Sequence, residues 1–226
     1  MMRACLIVLL FLPVVTIAQV QSNWKNQLYE TYSHDSYQRY EPFQQVIDPA
    51  HLDRALLGAA IFYETNKVRV AYGLKPFVYA SSLGEAAQGH SRDMVKMDFF
   101  GHNSRVKGKK RLIDRLKLVG LYEGLFAENI ADYLLYPLSG QSYYPPSVNG
   151  GYFSRTYKGE QIEAYTYSEM AVVAVKEWMN SDGHRRNILD DKMNYLGVGV
   201  FPQIFENKDE VPHIYTTQNF ASEAAQ

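Results

Sequence analysis

Residues 178–189, reading WMNSDGHRRNIL, gather an aromatic, a helix-ending turn, a histidine and two arginines into one short stretch. Asn180, Ser181, Asp182 and Gly183 favour a turn, because short polar side chains and glycine stabilise non-helical backbone. That places His184 just past a helix end, with its ring free to face a cleft. His102 stands in a similar setting, since Gly101 breaks the preceding helix and the imidazole follows at once. An imidazole is the side chain whose charge changes near neutral pH, so either residue could hold a proton or a ligand. The third candidate is Glu128, a carboxylate inside the otherwise apolar run formed with Ala127, Ile130 and Ala131. Burial there is costly unless a charge, a proton donor or a metal compensates it, which makes Glu128 the candidate site acid and the candidate catalytic residue. His90 falls on an apolar helical stripe and reads as a core histidine outside the site.

The elements that must position these groups follow from hydrophobic period. Leu52, Leu56, Ala59, Tyr63 and Val70 share one face of a helix over residues 52–70, with Gly73 as its stop and Asn66 on the same stripe, expected to tie down neighbouring backbone. After a short link at 75–79, Leu83, Ala87, His90, Met94 and Met97 define a second helix over 82–97. Leu112, Leu116 and Val119 continue a short amphipathic helix to Gly120, and residues 168–180 form a mostly buried helix with Ser168 in the N-cap position. Two strand-like runs, 197–201 and 214–220, flank the polar turn at 206–210 and should pair antiparallel. Helices early and strands late imply an α+β domain with helices packed on a small antiparallel sheet.

The chain has 226 residues, is 46% apolar and carries a formal net charge of −1, so it can bury a full core and shows no bias toward nucleic acid. The cationic loop at 105–111 has no interleaved aromatics and reads as a solvated face. Residues 1–18 carry one early arginine, an apolar run and the small-x-small site Thr16-Ile17-Ala18, the pattern of a signal peptide cleaved before Gln19, with an uncleaved membrane anchor as the alternative. No transmembrane segment remains after that cleavage, and the expected location is secreted or periplasmic. The single cysteine, Cys5, lies in the signal, so the mature chain has no disulfide, thiolate ligand or cysteine nucleophile. Residues 19–51 read as an extended polar leader ahead of a domain over 52–222. Residues 133–167, dense in Tyr, Gly, Pro and Ser, read as an inserted loop that could act as a lid over the cleft.

These residues resemble the CAP superfamily, the SCP-like domain of cysteine-rich secretory proteins, antigen 5 and pathogenesis-related proteins, in its cysteine-poor bacterial form. The resemblance is carried by Asn66-x-x-Arg69, Phe99-Phe100-Gly101-His102, Ala127-Glu128-Asn129-Ile130, the stretch from Trp178 to Leu189, and Gly197-Val198-Gly199. It implies a three-layer α-β-α sandwich in which two histidines and two glutamates converge on a central cleft, often a divalent metal site. By position the histidines are His102 and His184 and the first glutamate is Glu128; Ser181 stands where the family has its second. Asn66, Arg69, Asn129 and Trp178 carry over as structural positions.

Two imidazoles and a carboxylate could hold zinc or another divalent cation, and no organic cofactor is expected. Metal-bound water beside Glu128 would begin a metal-dependent hydrolase. A serine mechanism through Ser104 or Ser181 lacks any G-x-S-x-G elbow. The reading adopted is a secreted binding module with a cleft lined by His102, Glu128, Ser181 and His184, taking a small ligand, lipid, peptide or glycan. The alternatives are the hydrolase and a structural envelope protein whose cleft is a relic.

Overall fold

The computed structural model describes residues 24–223, so the expected signal segment and Cys5 lie outside the described residues. The elements run α1 (Leu28–Thr31), three 3-10 turns, α2 (Arg54–Ala71), β1 (Val78–Tyr79), α3 (Ser81–Lys96), α4 (Leu112–Lys117), β2 (Phe126–Leu134), α5 (Pro146–Asn149), α6 (Tyr167–Asn180), α7 (Asp182–Leu189), β3 (Tyr195–Gln203) and β4 (His213–Ala221). Local chemistry sets the helix starts. Asp53 accepts from the Leu56 amide at 3.0 Å and opens α2. Thr166 and Glu169 form a reciprocal capping box that opens α6. This corrects the sequence expectation of Ser168 as N-cap: Ser168 is the second residue of the helix, buried, where it accepts from Gln44 at 3.2 Å.

The sheet order is β1-β3-β4-β2, antiparallel across its three long strands, with the two-residue β1 added parallel to β3 where the sequence suggested only a link. Helices cover both faces, giving the α-β-α sandwich. On one face α3 lies so close to β3 that a Cβ at Gly197 would meet the Gly84 nitrogen at 2.0 Å, and one at Gly199 would meet the Gln88 nitrogen at 2.1 Å. The Gly-Val-Gly run therefore exists to let helix backbone rest on strand backbone. On the opposite face Gly58 of α2 approaches the Val198 carbonyl, and α2 packs against α6 around Trp178, which is 1% exposed. Registers place Glu128 opposite Asn219 and Asn219 opposite Gly197, so Glu128 sits on the edge strand β2 in the row that α3 covers.

Three sequence expectations change. Residues 180–183 are not a turn: Ser181 alone is extended (φ −97, ψ 121), and helix resumes at Asp182. Ser181 in the N-cap position and Asp182 in the first turn suit a helix start, where the dipole favours acid, so His184 rides the first turn of α7 instead of a loop. Residues 24–51, the described part of the expected leader, are not an extended tether either. Trp24, Tyr37, Phe43 and Ile47 are buried in the main core, and the Tyr37 hydroxyl donates to Glu64 at 2.8 Å, because so many aromatics gain more from burial than from solvent.

The expected lid is docked elsewhere. Leu138 and Phe153 cluster with Val211, Ser147 donates to Asp209, and the Leu135 amide donates to the Pro212 carbonyl at 2.9 Å. All these contacts lie beyond Leu134, six residues along β2 from Glu128, which at about 3.3 Å per residue is roughly 20 Å from the carboxylate's position. Near the Glu128 end, by contrast, β2 meets α7 on one side and the 101–111 loop on the other.

Candidate functional site

Glu128 is the centre of the cluster. Its side chain is 3% exposed. Oε1 accepts from Nδ1 of His102 at 2.9 Å and Oε2 accepts from Nη2 of Arg115 at 2.6 Å. With its amide oriented to satisfy both ends, Asn219 also donates to Oε2 at 3.2 Å and accepts from the Ala87 amide at 3.1 Å. Burial works to raise the Glu128 carboxyl, but the His102 hydrogen bond and then the Arg115 charge outweigh it and hold the group below the usual carboxylate range.

Arg115 is the residue the sequence reading missed. It is one cation among several between Arg105 and Lys117, and nothing local separates it from solvated neighbours except its place beside Leu116 on the apolar side of α4. Its Nη1 donates to the carbonyls of His102, Lys109 and Lys110 at 3.1 to 3.3 Å, so one guanidinium both neutralises Glu128 and folds the 101–111 loop around itself. His90 completes the wall. Its Nε2 donates to the Gly101 carbonyl at 3.1 Å, fixing the residue before His102, and lies 3.9 Å from Glu128 Oε1. Burial drives the His90 pKa down to about 4, outweighing the opposing Glu128 charge, with a smaller push from Arg115 in the same direction as burial. His90 is therefore a neutral wall residue of the site.

Because His102 gives its Nδ1 proton to Glu128, its free lone pair is on Nε2, and the side chain is 55% exposed. His184, half-buried, is close enough that His102 adds to the effect of burial in lowering its pKa. The backbone of His184 is held by Asn129, whose amide donates to the His184 carbonyl at 3.2 Å and to Gln218 at 3.0 Å. Asn187 donates to Asn129 Oδ1 at 2.8 Å and to the Glu128 carbonyl at 3.3 Å, which pins α7 along the β2 edge. Ser181 is the junction between α6 and α7, with its carbonyl accepting from the Arg185 amide at 2.8 Å.

Asn66 and Arg69 act at a distance from this cluster. Asn66 accepts from the Phe77 amide at 2.7 Å and donates to the Phe77 carbonyl at 3.0 Å. Arg69 donates to the carbonyls of Ile188, Asp190 and Met193 at 2.7, 2.9 and 3.3 Å, so it anchors the exit of α7. Ser104 is buried, with its hydroxyl accepting from the Val106 amide at 3.1 Å, and so serves its own loop.

The donor set differs from three ligands around one ion. Both Glu128 oxygens are engaged by His102 and Arg115, and among the described residues no three His, Cys, Asp or Glu side chains are grouped to hold a metal. What the residues present is two imidazoles, one of them, His102, held by a carboxylate whose oxygens are both already engaged.

The cysteine-rich secretory protein family model, CAP, matches residues 62–220, and the chain belongs to that family. Two Bacillus subtilis proteins are 31% identical to it: the uncharacterized membrane protein YlbC over 69% of this chain and 32% of its own length, and the uncharacterized protein YkwD over 60% and 38%. The chain thus spans about a third of the length of these relatives. The crystal structure of an extracellular protein containing an SCP domain from Bacillus anthracis aligns with 75% of this chain and 41% of its own, at 26% identity and a TM-score of 0.50. No helix among the described residues is long and apolar enough to cross a membrane.

Proposed function

We propose that the domain is a secreted binding module whose ligand-facing groups are His102 and His184, at the β2 edge. The observation that carries this reading is the buried chain from Arg115 through Glu128 to Nδ1 of His102. A fixed carboxylate and guanidinium hold one tautomer of an exposed imidazole, with Nε2 turned outward as an acceptor, which is preorganisation for a ligand that donates a hydrogen bond or accepts a lone pair. The extracellular description of the Bacillus anthracis protein supports secretion for this chain as well.

A divalent cation such as zinc is one ligand these imidazoles suit, with His102 and His184 as its protein donors, Glu128 behind His102, and solvent or a second ligand filling the rest of the sphere. Such an ion would supply Lewis acidity at the cleft. Two protein donors give weaker retention than three, so binding in the micromolar range or above is expected. A binding role is favoured over serine hydrolysis because Ser104 is turned into its own loop and Ser181 joins two helices. The test is to follow the imidazole resonances of all six histidines while zinc is added. Selective shifts of His102 and His184 support the reading; shifts spread evenly over all histidines, or none, would remove the cleft from it.

A further inference from the structure

A groove of about 360 Å³ runs between α3 and α4, lined by His90 and Arg115 but not by His102, Glu128 or His184. Arg92 and Lys109 line it as cations, Glu85 is its one carboxylate, and Gly89 and Leu118 are among its remaining walls. Two polar atoms of these lining residues have no partner although their side chains are at least 97% buried: Nε of Arg115 and Nδ1 of His90. The first is a cationic donor. The second is an acceptor, because His90 spends its proton on the Gly101 carbonyl. An unpaired donor and an unpaired acceptor behind one groove ask for a group that offers both a charged oxygen and an O–H.

The groove also gives a use to the cationic loop. Arg105 donates to the Asp98 carbonyl and Arg111 pairs with Asp114, whereas Lys109 turns back over the groove and is held to Asp93 at 3.2 Å, where Arg92 also approaches. Lys109 and Arg92 thus add two cations to the groove that Arg115 and His90 also line. At Gly89 on α3, a Cβ would have nothing within 4 Å, so the groove is open above that point.

We propose that the α3/α4 groove is a second ligand site, separate from the His102 cleft, that binds a phosphate group still carrying a proton, whether of free phosphate or of a phosphate monoester. One anionic oxygen goes to Arg115 Nε, the phosphate O–H goes to His90 Nδ1, and Lys109 leaves Asp93 to close on the remaining oxygens with Arg92. Sulfate, of nearly the same size, carries more negative charge near pH 6 but has no proton to give to His90. The groove therefore prefers phosphate by hydrogen-bond complementarity, against the order that charge alone would set.

The experiment is calorimetry on the full chain at about pH 6, where phosphate keeps a proton, with inorganic phosphate, glycerol 3-phosphate and sulfate as separate titrants. Phosphate should bind about tenfold or more tightly than sulfate, the value of one well-made hydrogen bond. Lys109→Gln, at a partly exposed ammonium, should weaken phosphate by about tenfold. Gly89→Leu should remove binding by filling the groove, with circular dichroism confirming the fold. Gly89→Leu should leave zinc binding as in the wild type while phosphate binding is lost, which separates this site from the His102 and His184 pair. Binding of the monoester or of free phosphate alone identifies the source. No heat at millimolar phosphate, equal affinity for sulfate, or wild-type binding by a folded Lys109→Gln and Gly89→Leu would overturn the proposal.

Discussion

Nδ1 of His102 lies 2.9 Å from Oε1 of Glu128, while the other oxygen of the same carboxylate is 2.6 Å from Arg115. An exposed imidazole on a loop is thereby wired to a guanidinium that is 3% exposed on a helix, and the carboxylate between them is what joins loop, helix and edge strand. Glu128→Gln keeps the shape but leaves the Arg115 charge buried without a counterion. It should cost about 3 kcal/mol in denaturant unfolding. A loss under about 1 kcal/mol would mean that the pair is solvated, not buried.

The two buried titratable groups of the wall work in the same direction on acidification. His90 has its folded pKa depressed to about 4, so the unfolded chain binds a proton that the folded one refuses, and stability present above about pH 6.5 drains away as pH falls toward 4. Glu128, held below the usual carboxylate range, adds a further loss at more acid pH, as the unfolded carboxyl protonates first. Urea midpoints measured from about pH 7 to 4 should fall steadily, and His90→Gln should flatten the upper half of that fall. A midpoint independent of pH over this range would contradict the buried neutral His90.

Trp178 fills the junction between α6 and β2, edge-on to Tyr133 at 6.0 Å between ring centroids. With no disulfide expected to hold the chain, Trp178→Ala should cost about 3 to 5 kcal/mol through the cavity it leaves. Calorimetric unfolding reads this directly; a change under about 1 kcal/mol would place the ring at the surface.

Gly199→Ala tests how closely α3 rests on the sheet. A methyl there would meet the Gln88 nitrogen at 2.1 Å, so helix and strand must separate. A loss of about 2 kcal/mol or more is expected, accompanied by weakening of the two bonds between Gln88 and Val200, in which Gln88 donates to the Val200 carbonyl at 2.7 Å and accepts from its amide at 3.1 Å. An alanine accommodated without loss would show that the two layers slide freely.

How much of this was legible in the sequence depended on whether the signal was local. The faces of α2 and α3 were readable because Leu56, Ala59 and Tyr63, or Leu83, Ala87 and Met94, repeat at helical period and are buried. The Gly-Val-Gly strand was readable as a strand, but the reason for its glycines needed the position of α3. Helix α7 was obscured by Gly183, a poor helix residue, although Ser181 followed by Asp182 was a start signal as good as any in the chain. Arg115 was invisible because its meaning lies in contacts with His102, Lys109 and Glu128 that no spacing encodes. The early segment was misjudged for another reason: its polar residues set the average, while Trp24, Tyr37 and Phe43 set the packing.

Zinc calorimetry on the wild type, His102→Ala and His184→Ala decides whether His102 and His184 are the ligand-facing pair of a binding cleft. One weak site is expected in the wild type, lost or weakened by about tenfold or more in either variant, with no hydrolysis of model esters or peptides in any of the three. Equal zinc binding by all three proteins would contradict that role.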